Sequence, residues 1–298
     1  MQICMNLYGL HQWFDGDFSE VLELVKIAER MGVDQISLGD HVAIGEDRSN
    51  YPFGEFSAPL DFPWIEPVTM LAAVAAVTER IRLSTGVLVA PLRPAVLLAK
   101  QLASLDVLAR GRVDIGLGTG WHWPEYAASG VAFDDRIGQL EEQLRVCRAL
   151  WNNAPAEFNG RYVRFDKLHQ WPRPAQPGGV PIWLGVPPTP RNFARIAELA
   201  DGWLPLGIDA AQCALGVRAL RAAFAERGRD PAELAVRHLV VPAFGADGRG
   251  DLDGALAGIA EWVEAGATVI EWFPTMFCQR RDEFEPFLER VLKLKRQA

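Results

Sequence analysis

The sequence predicts an α/β protein built as a closed (β/α)8 barrel, and three observations carry the prediction. Eight short apolar runs suited to buried strands alternate with longer amphipathic segments. Alternation of this kind calls for parallel strands joined by crossover helices. Eight such units in 298 residues match the size of a closed barrel. The competing architecture, an open doubly wound sheet, wants a glycine fingerprint after the first strand, and Tyr8-Gly9-Leu10-His11 offers a single glycine.

Taken in order, the expected strands are Gln2–Leu7, Gln35–Leu38, Ile81–Val89, Val113–Leu117, Ile182–Gly185, Trp203–Leu206, Ala235–Val241 and Thr268–Phe273. The first helix shows Phe18, Val21, Leu22, Val25 and Ala28 at helical spacing, with Ser19 as its expected N-cap and Gly32 as its stop. The stripe within Leu97–Leu108 reads as core, and Ile137, Leu140, Leu144, Cys147 and Trp151 repeat the helical period. Two excursions interrupt the rhythm. Val42–Pro63 is a long Gly/Pro-rich insertion after strand two, and Asn152–Pro181 is a second one after the fourth unit. Asn159-Gly160 inside the latter reads as the turn of a tight hairpin. Long excursions on a barrel build lids or pocket walls. No linker divides the chain, so residues 1–298 are expected to form one domain.

A formal net charge of -8 with scattered charges argues against nucleic-acid and anionic-membrane partners. The four cysteines lie far apart, without a C-x-x-C pair or zinc spacing, and no metal is expected. Without a basic leader or a membrane-length apolar run, the expected setting is the cytoplasm and the expected partner a small-molecule substrate.

In a parallel barrel, chemistry sits at the C-terminal ends of the strands. That rule selects Asp40-His41, Thr85-Gly86-Val87, Gly118-Thr119-Gly120-Trp121 and Gly185-Val186. His41 is the candidate acid, base or hydrogen-bond donor, with Asp40 beside it. Gly86 interrupts an apolar strand, a mark of a bulge or a close backbone approach. Gly116-x-Gly118-x-Gly120 lacks the spacing of a phosphate loop, because Trp121 stands where the next glycine would fall. Trp121, Trp123 and the Val42–Pro63 insertion are expected to wall an apolar pocket, whereas His169 and His238 read as structural.

The run "WIEPVTMLAAVAAVTERIRLSTGVLVAPLRPAVLLAKQLASLDVLARGRVDIGLGTGW", followed by "GVAFDDRIGQLEEQLRVCRALW", resembles the bacterial luciferase-like family, most of all its coenzyme F420-dependent branch. The likeness continues in "FNGRYVRF", "PIWLGV" and "IAELADGWLPLG". It implies a (β/α)8 barrel that binds F420 or FMN at its C-terminal mouth. It also implies a cis peptide at Gly86–Val87 behind the flavin ring, His41 near the reactive ring carbon with Asp40 as the preceding acid, and Gly118, Thr119 and Gly120 lining the cofactor site. The implied activity is F420-dependent hydride transfer. An FMN-dependent monooxygenase served by a separate flavin reductase and a non-catalytic flavin-binding protein are the alternatives; homodimers are frequent in the family. Two departures stand out. Trp121 replaces the catalytic glutamate of related sugar-phosphate dehydrogenases, and Gly185-Val186-Pro187-Pro188-Thr189 replaces a Gly-Gly-Ser-like turn.

Overall fold

A computed structural model of the chain describes residues 1–296. Eleven strands form in chain order: β1 (Gln2–Asn6), β2 (Gln35–Leu38), β3 (Arg82–Thr85), β4 (Leu88–Val89), β5 (Val113–Gly118), β6 (Ala156–Asn159), β7 (Arg164–Leu168), β8 (Ile182–Leu184), β9 (Gly202–Trp203), β10 (Ala235–Leu239) and β11 (Val269–Trp272). Around the barrel the order is β1, β2, β3, β5, β8, β9, β10 and β11, which returns to β1; every one of these pairings is parallel. The eight expected strands are all present. The third is divided, because the chain leaves β3 at the cis Gly86–Val87 bond and pairs with β5 again through β4.

Period-two alternation sorts the side chains of each strand. Ile3, Met5, Ile36 and Leu83 join the main core, which the helices cover, while Cys4, Trp183, Leu204 and Val269 form a separate small cluster. The first helix, Phe18–Met31, starts two residues earlier than the sequence cue: Asp17, not Ser19, is its N-cap, and the Asp17 carboxylate accepts the Ser19 amide at 2.8 Å. Gly32 ends it as expected, at φ 102°. In the helix Ala95–Leu108 only part of the expected stripe is core. Leu98, Leu102 and Leu105 are buried, whereas Leu97 and Leu108 face outward.

The second excursion holds the antiparallel β6–β7 hairpin, but its turn differs from the expectation. Residues 160–163 connect the strands, and Gly160 donates to the Val163 carbonyl at 2.9 Å. The turn is organised by Glu142, whose carboxylate accepts the amides of Arg161, Tyr162 and Val163. A side chain from outside the hairpin fixes this turn, so the Asn-Gly pair alone did not define it.

All four cysteines are buried and free, and burial pushes the Cys147 thiol up to about 12. Among the described residues no helix is long and apolar enough to cross a membrane, and no cluster of His, Cys, Asp or Glu is arranged to hold a metal.

Candidate active site

Parallel strands deliver their C-terminal ends to one face, so the predicted residues share a single mouth. Its floor is made by segment 85–89 lying against the tips of β5 and β8. The glycines explain how these segments fit. A Cβ on Gly116 would strike the Thr85 carbonyl, and one on either Gly118 or Gly185 would lie 2.6 Å from a Val87 γ-carbon. Gly120, at φ +62°, packs on Val89. The space left by these glycines is therefore filled by the neighbouring chain. Val87 sits between two side-chain-free tips, which gives a smooth apolar floor.

Of the residues expected at the cofactor, Gly86, Val87, Thr119, Gly120, Trp121 and Gly185 reach the half-buried surface. Thr85, Gly118 and Val186 do not: they are buried, and Thr85 Oγ1 donates to the Gly116 carbonyl at 2.6 Å. Beneath the floor lies a charged pair that sequence reading passed over. Arg237 Nη1 donates to Ser37 Oγ at 3.0 Å and lies 3.7 Å from Glu271 Oε2, while its guanidinium stacks over Trp183. Glu271 Oε1 accepts Asn6 Nδ2 at 2.8 Å. A buried ion pair of this kind persists only with such additional hydrogen bonds. A Cβ on Gly86 would meet Ser37 Oγ at 2.9 Å and Arg237 Nη1 at 3.4 Å, so glycine is what lets the floor rest directly on this network.

His41 and Asp40 part company, as neighbours on a strand do. His41 Nδ1 faces Glu125 Oε1 at 3.0 Å. Trp64, Phe56 and Trp121 meet the ring edge-on, at centroid distances of 4.7, 5.4 and 5.7 Å. Asp40 turns the other way. Its oxygens accept Arg93 Nη1 at 2.6 Å, Arg93 Nη2 at 3.2 Å and the Val89 amide at 2.9 Å. Both oxygens are engaged, and the side chain is 1% exposed. The catalytic role expected for Asp40 gives way to a structural one: it ties the tip of β2 to the segment that forms the floor.

The Val42–Pro63 insertion contains no helix or strand and is organised by aromatic packing. Tyr51 and Phe56 each lie 5.0 Å from Trp121, and Asn50 Nδ2 donates to the Trp121 carbonyl at 2.6 Å. Tyr8, Phe62 and Trp64 extend the wall. Trp121 thus joins the wall as expected. Trp123 does not: it stands 48% exposed at the start of the helix Trp123–Ala128.

Two residues of that segment were missed. Glu125 is buried at the centre of the His41 contacts. His122 is fully buried, and its Nε2 accepts the Gly45 amide at 2.8 Å. Burial holds the His122 imidazole below the usual histidine range. The available cue was Pro124 at a helix start with an acid next to it, which reads as an ordinary first turn. The partners of Glu125 and His122 arrive from the β2 tip, about eighty positions away by the spacings of 77 and 84 residues.

The cavity beside the wall, lined by Tyr8, Phe62 and Trp64 among others, is about 30 Å³, room for little more than a water. A groove of about 660 Å³ lies instead by the residues that enter β8 and β9. Its arginines are already paired: Arg145 with Glu198 at 2.6 Å, and Arg148 and Arg229 with Asp201 at 2.7 and 3.0 Å. It is a corner of the fold, remote from the mouth.

Known proteins agree with this architecture. A family described as luciferase-like monooxygenase matches residues 6–268. An uncharacterized protein of Mycobacterium tuberculosis is 36% identical over 194 residues, covering 64% of this chain and 67% of its own. An F420-dependent glucose-6-phosphate dehydrogenase of Nakamurella multipartita is 33% identical over 187 residues, which is 60% of this chain and 50% of the dehydrogenase. The coenzyme F420-dependent tetrahydromethanopterin reductase from Methanopyrus kandleri superposes with a TM-score of 0.69 at 17% identity, over 96% of both chains, a likeness of fold. On the extent of the family match, this chain belongs to the luciferase-like monooxygenase family.

Proposed function

We propose that this protein is an F420-dependent oxidoreductase acting on a small, apolar organic substrate at the barrel mouth. The observation that carries the reading is His41: its Nδ1 is taken by Glu125, and the ring stands among aromatic side chains beside a smooth apolar floor. The F420-dependent dehydrogenase among the relatives supports the choice of cofactor.

The floor fits a planar ring. Val87, flanked by Gly118 and Gly185, offers a flat apolar contact, and the half-buried Gly86, Thr119 and Gly120 bring backbone close to any group resting there. When bound, the deazaflavin would supply the hydride chemistry. The chain's own contributions are distinct from that. Val87 and the half-buried Gly86, Thr119, Gly120 and Gly185 would hold the ring, and the Tyr51, Phe56, Trp64 and Trp121 wall would exclude water and bind apolar groups. His41 holds or moves a proton at a heteroatom of the substrate. With Trp121 in place of an acid, His41 is the strand-tip group at the aromatic wall that takes this role.

The rim supports the substrate class. Val42, Phe53, Leu206, Val241 and Phe244, all from segments that follow strand C-termini, are exposed. Such a border favours apolar compounds over a phosphosugar, which calls for cations.

Titrating the purified protein with F420 and with FMN, followed by absorbance and fluorescence, tests the reading. Saturable F420 binding with reduction of the bound cofactor by apolar alcohols or related donors is expected. Binding of FMN without F420, together with oxygen uptake that depends on reduced FMN, would make the protein a monooxygenase instead. Flavin binding with no turnover across a broad panel would identify a binding protein.

A further inference from the structure

We infer that Glu125 is the positioning residue for His41, fixing the imidazole as the Nδ1–H tautomer and leaving Nε2 as the atom that exchanges protons at the mouth. The inference deepens the proposed function, since it rests on His41 acting there.

The assignment follows from the donors around one oxygen. Glu125 Oε1 accepts the Val42 amide at 2.8 Å and the Ala43 amide at 3.2 Å, and His41 Nδ1 lies 3.0 Å from the same atom. Both amides are obligatory donors, so Oε1 is an acceptor already turned toward N–H groups. A bare Nδ1 would set a lone pair against that oxygen. A proton on Nδ1 turns the same contact into a charge-assisted hydrogen bond. Glu125 Oε2 is buried and has no protein partner, which leaves the interactions of the carboxylate concentrated on Oε1. The neutral His41 ring then carries its lone pair on Nε2.

The arrangement crosses the mouth. His41 follows β2, whereas Glu125 stands on the short helix after β5, so the contact spans the tip of β3. The same oxygen grips the root of the Val42–Pro63 insertion. One carboxylate therefore sets both the ring that handles protons and the start of the wall above it.

The proton bookkeeping closes without another group. In one direction Nε2 takes a proton from a substrate O–H or N–H, while the hydride leaving the substrate carbon would go to the oxidised deazaflavin of the proposed function. The Nδ1 proton stays in place, and the imidazolium faces the Glu125 carboxylate. In the reverse direction Nε2 returns the proton. Glu125 touches neither substrate nor cofactor.

The test reads the tautomer directly, in cofactor-free protein labelled with 15N-histidine at pH 8, with His41 identified by the signal lost in His41→Ala. The wild-type ring is expected to be protonated at Nδ1. Glu125→Gln, whose amide oxygen accepts the same donors, is expected to keep that state, and Glu125→Leu to shift the ring toward Nε2–H. In turnover assays Glu125→Leu is expected to lower kcat about 10²-fold or more with KM little changed, and Glu125→Gln to fall between it and wild type. A wild-type ring protonated at Nε2 overturns the inference, even where Glu125→Leu does not fold. So does a Glu125→Leu protein whose tautomer is unmoved, or one whose KM rises while kcat holds. Because the tautomer is read without cofactor, failure to bind F420 refutes the proposed function and leaves this measurement standing.

Discussion

His122 Nε2 accepts the backbone N–H of Gly45 at 2.8 Å, so a buried imidazole anchors the start of the first insertion. The bond requires an unprotonated Nε2. Burial favours that neutral state, with Glu125, His41, Asp47 and Arg48 as the charged or titratable neighbours. The folded-state value lies below the unfolded one of about 6.5. The contribution of the anchor is therefore whole above about pH 6.5 and is lost as pH falls from there through the lower folded-state value. Protection of the Gly45 amide from hydrogen exchange should drop as pH falls from about 7.5 to about 5. His122→Gln, which keeps an acceptor that does not titrate, should flatten the dependence. Equal pH sensitivity in the two proteins would place the switch elsewhere.

Asp40 and His41 are adjacent in sequence and separable by experiment. Removing Arg93 leaves the Asp40 carboxylate buried without its ion partner, a defect of about 3–5 kcal/mol. Arg93→Met should lower stability in urea titrations by that order. His41→Ala removes a ring only 8% exposed and should itself cost about 2–5 kcal/mol, while turnover of the folded protein falls about 10²–10⁴-fold. The proposed role of His41 fails if folded His41→Ala retains its rate.

The barrel was legible because its signals are local. Strand runs such as Ile182–Leu184 carry their burial in their own apolar residues, and Gly32 marks a helix end by itself. The mouth was legible as a set of positions, since topology brings every strand tip to one face. Its inner connections were not. Glu125, His122, Arg237 and Glu271 act through partners on other strands, and a buried charge has no signature in sequence when its counterpart lies dozens or hundreds of residues away. The glycines show the same limit from the other side. Gly116, Gly118 and Gly120 stand in the sequence without any sign of what they pack against, which is Thr85, Val87 and Val89.

That identity has a consequence for folding that is independent of any cofactor. A methyl at position 118 would lie 2.6 Å from a Val87 γ-carbon, closer than carbon atoms can approach. Gly118→Ala should destabilise the ligand-free protein by about 1–3 kcal/mol through overpacking. Val87→Ala removes the offending carbon. The double variant should be more stable than the sum of the single effects predicts, with a coupling of about 0.5–3 kcal/mol. Additive effects would mean that the chain relaxes to accept the methyl and that Val87 is not what requires glycine at 118.

His238 supplies a second acid-sensitive element, away from the loop. Its ring stacks on Trp262 at a centroid distance of 3.5 Å and an interplanar angle of 12°. Burial pushes the imidazole down to about 4. Against an unfolded value of about 6.5, the unfolded chain binds the extra proton first as pH falls. The contribution is therefore whole above about pH 6.5 and disappears progressively toward pH 4. After discounting for the ring's partial exposure it amounts to about 2–3 kcal/mol. His238→Phe keeps an aromatic partner for Trp262 and cannot titrate. Urea titrations at pH 7.5 and 4.5 should show a stability gap in the wild type that narrows by about that amount in His238→Phe. An unchanged gap would mean that acid sensitivity arises from other groups, and that His238 is neither buried nor neutral in the way its stack on Trp262 requires.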